Sequence, residues 1–178
     1  RLYADDGTEY DADVLVIATG FDVLNFITTY EAKGRSGVSL ADQWEHDNAQ
    51  AYLGTVVPNF PNFFTLYGPN LQPGHGGSLI FVVEMQVRYI MDMIQKMLDQ
   101  NIGSVEIRQE VHDGYNQDVD QAHEQMVWTH PGMTSYYRND RGRIVVNSPW
   151  RNVDFYEMTR EANLSDYLIE PVSELVAD

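Results

Sequence analysis

The stretch from residue 78 to residue 100 constrains the fold more than any other. Leu79, Val83, Val87, Ile90, Ile94 and Met97 recur at steps of four and three, which is one stripe of an amphipathic helix. Glu84, Arg88, Asp92 and Lys96 alternate in sign at i,i+4 on the other side, each pair adding roughly 0.2–0.5 kcal/mol. Gly103 is expected to stop the helix. A rod of this length must bury its stripe against other elements, and the flanking sequence offers strands.

Val14-Leu15-Val16-Ile17-Ala18 is a continuous apolar run, too short for a helix, that ends at Thr19-Gly20. Such a run suits a strand covered on both faces, the habit of parallel strands in α/β sheets. Before it, residues 1–4 and 9–13 are expected to pair around Asp5-Asp6-Gly7-Thr8, where Gly7 takes a positive φ. Residues 63–67 read as a second short buried strand, beyond two prolines that forbid a helix. Residues 68–78 hold four Gly and two Pro in eleven positions and must form a loop.

Shorter signals complete the layout. Ser39 is expected to cap a brief helix over 39–44, with Asp42 three residues on. Residues 105–107 predict a strand, and 113–126 a helix with Tyr115, Val119, Ala122 and Met126 on one side. Residues 143–146 suggest a closing strand or hairpin, and Pro149 opens a last helix over 150–160. The acidic stretch after Glu161 is expected to be peripheral, and Trp128 and Trp150 to be packing residues.

Composition removes several classes of function. With 11 Lys+Arg against 27 Asp+Glu the formal charge is −16, and so few scattered cations make no phosphate-binding patch for nucleic acid. The absence of cysteine excludes disulfides, thiolate metal sites and thiol nucleophiles. His46, His75, His112, His123 and His130 show no i,i+4 pairing for zinc. Asp113, Asn116, Asp118 and Asp120 lack the glycine that a calcium loop needs, and read as a solvated face. No G-x-S-x-G elbow is present, so a serine hydrolase is the least favoured reading. No apolar run reaches the ~20 residues of a membrane span, and no signal peptide opens the chain. A cytoplasmic, membrane-free protein is expected. Because the first residue is Arg1 and not Met, truncation is expected as well.

Two pieces together suggest a ligand. Residues 13–22 are a strand ending in a small-residue turn; Tyr67-Gly68-Pro69-Asn70 is another strand end, leading through the glycine loop to the helix start at Ser78 and Leu79. In open α/β sheets ligands bind beyond the carboxyl ends of strands, and a helix N-terminus carries about half a positive charge. An electron-rich oxygen of a cofactor would sit well there. A loop that merely turns the chain remains the alternative on these residues alone.

These motifs resemble a known family. Asp13-Val14-Leu15-Val16-Ile17-Ala18-Thr19-Gly20-Phe21-Asp22 is similar to the second "ATG" strand of flavoprotein monooxygenases with two dinucleotide-binding domains. Asn59-Phe60-Pro61-Asn62-Phe63-Phe64, Tyr67-Gly68-Pro69-Asn70 and Glu84-Met85-Gln86-Val87-Arg88-Tyr89-Ile90 follow the order and spacing of Baeyer–Villiger monooxygenases. Ser135-Tyr136-Tyr137-Arg138-Asn139, Gly142-Arg143 and Asn147-Ser148-Pro149-Trp150-Arg151 look like the ending of the 4-hydroxyacetophenone monooxygenase type. The resemblance implies the C-terminal third of such an enzyme. Its G-x-G-x-x-G turn, F-x-G-x-x-x-H fingerprint and active-site Arg would lie upstream.

The implied fold class is α/β, an incomplete two-dinucleotide-binding-domain flavoprotein fold. Residues 1–103 would be the C-terminal part of the FAD/NADPH-binding region, and 104–178 a C-terminal α+β extension. FAD and NADPH would serve the whole enzyme without being retained by this stretch, and a ketone would be the substrate. Residue by residue, the resemblance places Thr19, Gly20 and Phe21 at the turn approaching the cofactors. Gly68, Pro69 and Asn70 would start the loop near the flavin pyrimidine edge, with Ser78 and Leu79 facing flavin O2. Tyr136 stands where many members carry a Trp against the nicotinamide. No catalytic residue and no metal ligand is implied here. Cutting such a fold would bare the 14–18 strand and one helix face, so either self-association into a homo-oligomer or rearranged packing is expected. An acidic, non-catalytic interaction module is the alternative from another class.

Overall fold

A computed structural model describes residues 1–27, 29–74, 76–133 and 135–172. His75 and the last six residues of the acidic tail lie outside the described residues. A hairpin comes first: β1 (Leu2–Tyr3) pairs antiparallel with β2 (Glu9–Tyr10), and Gly7 at φ 82° closes the turn as expected. α1 (Leu40–Gln43) begins at Ser39, whose hydroxyl accepts the Asp42 N–H, as the Ser39/Asp42 pattern predicts.

The long helix is α2 (Leu79–Asp99), but its buried face is not the predicted stripe. Val82, Met85, Gln86, Tyr89 and Met93 face the core, whereas Leu79, Val87 and Ile94 are exposed. The helix is apolar on two sides, so periodicity alone could not choose the phase. Its charged side is no solvent face either. Arg88 donates to the Tyr156 carbonyl at 2.7 Å and lies over the Tyr156 ring. Asp92 accepts from Lys96 (2.7 Å) and from the Ala162 N–H (2.6 Å). The helix ends at its C-cap Gln100, and Asn101 at φ 55° makes the left-handed turn, so the stop comes before Gly103, where it was expected.

Gly103 instead lies within β3 (Ile102–Ile107), where a Cβ would meet the Pro171 carbonyl oxygen at 2.7 Å. β3 pairs antiparallel with β4 (Tyr167–Pro171), so the acidic tail is structural as far as its strand, against expectation. Tyr167 explains why: its fully buried phenol meets the Tyr89 hydroxyl at 2.5 Å, pinning the tail to α2. α3 (Gln109–His123) starts earlier than predicted, and α4 (Asn152–Met158) follows Pro149. Two cores result. One lies between α2, β3, β4 and α4; the other gathers Leu40, Trp44, Val57, Phe60 and Val145.

Two strands and the parallel sheet are corrected. Residues 14–18 form no strand: Val14 is 77% and Ile17 80% exposed, and no described residue pairs with their backbone. An apolar run cannot become a buried strand without neighbours to take its N–H and C=O groups. Residues 63–67 also lack strand structure, since Asn62 (φ 57°) and Tyr67 (φ 53°) turn the chain on either side. Among the described residues the named sheets are both two-stranded and antiparallel; a parallel contact survives only as the Gln72–Asn147 bridge. Residues 143–146 form one isolated bridge, Ile144 with Arg138, and among the described residues no regular hairpin. No described helix is long and apolar enough to cross a membrane.

Candidate functional site

The Gly68-Pro69-Asn70 loop is built by close backbone approach. A Cβ on Gly68 would collide with the Gly54 carbonyl oxygen, and Gly54 itself sits at φ 60° against Leu71 and the Pro69 carbonyl. All three loop residues are buried. Asn70, 2% exposed, spends its whole carboxamide inside the protein. Its Nδ2 donates to the carbonyls of Ile144 (2.8 Å) and Asn147 (3.2 Å), its Oδ1 accepts from Arg143 (3.3 Å), and its N–H donates to the Val145 carbonyl (2.9 Å).

The loop then runs along residues 145–148. Gln72 donates its N–H to Val146 and accepts from the Ser148 N–H. Gly74 lies against Trp128, and Gly77, at φ 120°, against Asn152. Ser78 is extended and exposed, and makes no side-chain cap bond. Among the described residues the Ser78 side chain makes no capping bond to the first turn of α2, and Leu79 is exposed beside it.

Tyr136 is exposed and stacks on Tyr137, with ring centroids 4.2 Å apart. The two hydroxyls are hydrogen-bonded at 3.0 Å, and that bond, aided by burial, raises the Tyr137 phenol above its ordinary value. The Tyr137 carbonyl accepts the Val145 N–H, so Tyr136 and the Gly68-Pro69-Asn70 loop share one support, residues 144–147. Thr19, Gly20 and Phe21 are not brought to this support. They lie on exposed chain, Phe21 at 90%, and no hydrogen bond among the described residues ties them to the loop.

Three polar groups were invisible to sequence reasoning. Arg143, with a nearly buried side chain, donates to Asp120 at 2.8 Å and to the Ala49 carbonyl, Asn70 and Asn116. Asn116 is thus buried in an internal network, while Asp113, Asp118 and Asp120 stay on an exposed face as expected, with Asp120 paired to Arg143. His123 accepts the Trp128 indole N–H on Nδ1 at 2.9 Å at the back of a cleft of about 610 Å³, whose walls include Arg138, Arg141 and Ile144. None of the nine predicted cofactor residues lines that cleft. Gln86 is the third group, wholly buried within α2; its signal was an amide in phase with Val82, Tyr89 and Met93. Among the described residues no three His, Asp or Glu are placed to hold a metal ion.

The N-terminus of α2, where Ser78 makes no side-chain capping bond, and the glycine-lined approach fit an electron-rich oxygen such as a flavin's pyrimidine carbonyl. A pyrophosphate cradle is not among the described residues.

Comparison with known proteins decides the relationship. No protein-family profile matches the chain. An uncharacterized monooxygenase, y4iD, of Sinorhizobium fredii is 45% identical over 170 residues, which are 96% of this chain and 26% of that protein. A Baeyer–Villiger monooxygenase of Pseudomonas aeruginosa is 31% identical over 91% of this chain and 31% of its own length. Its homologues are flavin-dependent monooxygenases. Among solved structures, OTEMO in complex with FAD and NADP superposes with a TM-score of 0.72 at 22% identity, covering 92% of this chain and 30% of that one. OTEMO shares the fold of the described residues, and the chain spans between a quarter and a third of the length of each of these three proteins.

Proposed function

We propose that this chain supplies the C-terminal part of an FAD- and NADPH-dependent Baeyer–Villiger monooxygenase, of the 4-hydroxyacetophenone monooxygenase type, and is inactive alone. Residues 1–103 would complete the FAD/NADPH-binding region, and 104–178 would form an extension packed on it. The observation that carries this is the uncovered apolar surface. Ile80, Val87, Met91, Ile94 and Leu98 form a second stripe on α2, open to solvent like Val14 to Ile17. Contiguous apolar surface of this kind normally meets a partner, and the relatives contain between about two and three times as much further chain.

The reaction consumes a ketone, O₂, NADPH and a proton, and yields an ester, NADP⁺ and water. FAD, when bound, supplies hydride acceptance and oxygen activation. This chain's residues do the holding. Backbone N–H groups at Ser78 and Leu79 would offer preorganised dipoles to the flavin's C2 oxygen, favouring the charge that builds there on reduction. Gly68, Pro69 and Asn70 would wall the pyrimidine edge with buried, water-free backbone. Tyr136 would lie against the nicotinamide, and the turn Thr19-Gly20-Phe21 would approach the cofactors once residues 14–18 gain sheet neighbours.

The test is flavin stoichiometry. A chain extended upstream to the relatives' length should purify with one FAD and oxidise NADPH in the presence of a cyclic or aryl ketone, whereas residues 1–178 alone should hold no stoichiometric FAD. Tight FAD binding by the 178 residues alone would overturn the proposal.

A further inference from the structure

The side chain of Gln86 is saturated with hydrogen bonds in the middle of α2, at 0% exposure. Its Nε2 donates to the Gly54 carbonyl (3.1 Å), the Thr55 hydroxyl (2.8 Å) and the Thr65 carbonyl (3.2 Å); its Oε1 accepts the Tyr67 N–H at 2.7 Å. Thr65 and Tyr67 are the last steps of the chain before Gly68. The Gly54 carbonyl that Gln86 holds is the same one against which Gly68 is packed. One amide therefore ties the helix to both sides of the approach to the Gly68-Pro69-Asn70 loop. Eight residues of helix, about 12 Å, separate it from Ser78, so it touches no cofactor-facing atom.

We infer that Gln86 is a positioning residue that fixes the separation between the Gly68-Pro69-Asn70 loop and the first turn of α2, and through it the flavin's reduction equilibrium; this role rests on the flavin reading above. Leucine or methionine would satisfy the apolar phase shared with Val82, Tyr89 and Met93. What an apolar side chain cannot do is fix the three loop segments at hydrogen-bond distance, and each buried group it left unpaired would favour their displacement.

The experiment uses the FAD-loaded full-length enzyme and compares Gln86→Met with Met93→Ala, a core truncation seven residues further along the same helix. Wild-type enzyme that fails to hold FAD refutes the flavin reading and is distinguished at this first step. With FAD bound, Gln86→Met should lower the reduced-to-oxidised flavin ratio at a fixed potential about tenfold, which is about 30 mV for a two-electron couple, and shift the flavin absorption band. Met93→Ala should lower the melting temperature and leave both flavin readouts at their wild-type values. Should Gln86→Met not fold, Gln86→Asn, one methylene short of the loop carbonyls, should move the ratio several-fold in the same direction. Wild-type potential and spectrum in a folded Gln86 variant, or an equal shift in Met93→Ala, would overturn the inference.

Discussion

Residues 14–17 and residues 144–146 are both short runs of branched apolar side chains, yet one lies open to solvent and the other is buried. The difference lies in the backbone. Ile144, Val145 and Val146 present carbonyls that Asn70 and Gln72 take up, whereas no described residue pairs with Val14 to Ile17. Apolarity draws a segment inward only where its peptide groups are also satisfied. The same contrast divides α2, whose Met93 face is packed and whose Leu98 face is bare.

The largest expected effect sharpens the packed side. Burial pushes the Tyr52 phenol up to about 12 and raises those of Tyr89, Tyr115 and Tyr167 further, all within or packed against the core that includes the buried face of α2. Their folded values lie above the unfolded one, so this stability is fully present below about pH 10 and is lost as pH climbs from there through the folded values. Unfolding free energies from urea titrations between about pH 9 and 11.5 should fall steeply above pH 10, by roughly 1.4 kcal/mol per pH unit for each phenol ionised only in the unfolded chain. A flat profile would mean that these phenols reach solvent.

Next in size is Met93→Ala, which should cost about 3 kcal/mol of unfolding free energy through the cavity it leaves. Leu98→Ala on the other face should stay within about 0.5 kcal/mol. Equal costs would mean that the second stripe is covered in solution. Asn70→Ala tests what residues 144–147 possess and 14–17 lack. It strips the Ile144 and Asn147 carbonyls and Arg143 of a partner and should cost about 2 kcal/mol, measured by urea denaturation. The smallest energetic effect belongs to Ile17→Ser, nearly neutral in stability. Combined with Leu98→Ser, it should convert a self-associating isolated chain into a monomer in sedimentation velocity; unchanged association would remove the apolar surface as its cause.

How legible each feature was follows from how local its cause is. The Gly7 hairpin, the Ser39 cap and the span of α2 were readable, because each depends on neighbours within a few residues. The phase of α2 was not, since apolar residues occupy both sides and only the docking of β3, β4 and α4 selects one. β4 was hidden because the acidic composition around it outweighed Tyr167, whose importance comes from Tyr89, 78 positions away. The 14–18 run was misread because a sheet neighbour cannot be inferred from the run itself. At the candidate site the glycine loop was visible, but the inward-turned carboxamide of Asn70 and the bracing by Gln86 and Arg143 were not. Their partners lie scattered from residue 49 to residue 147.

Amide hydrogen exchange at residues 14–17, compared between the 178-residue chain and the full-length flavoenzyme, tests the central claim most directly. If the bare surfaces are the seam on which the rest of a flavin monooxygenase closes, these amides exchange freely in the isolated chain and become protected, with the outer face of α2, in the long enzyme. Equal, unprotected exchange in both would contradict it.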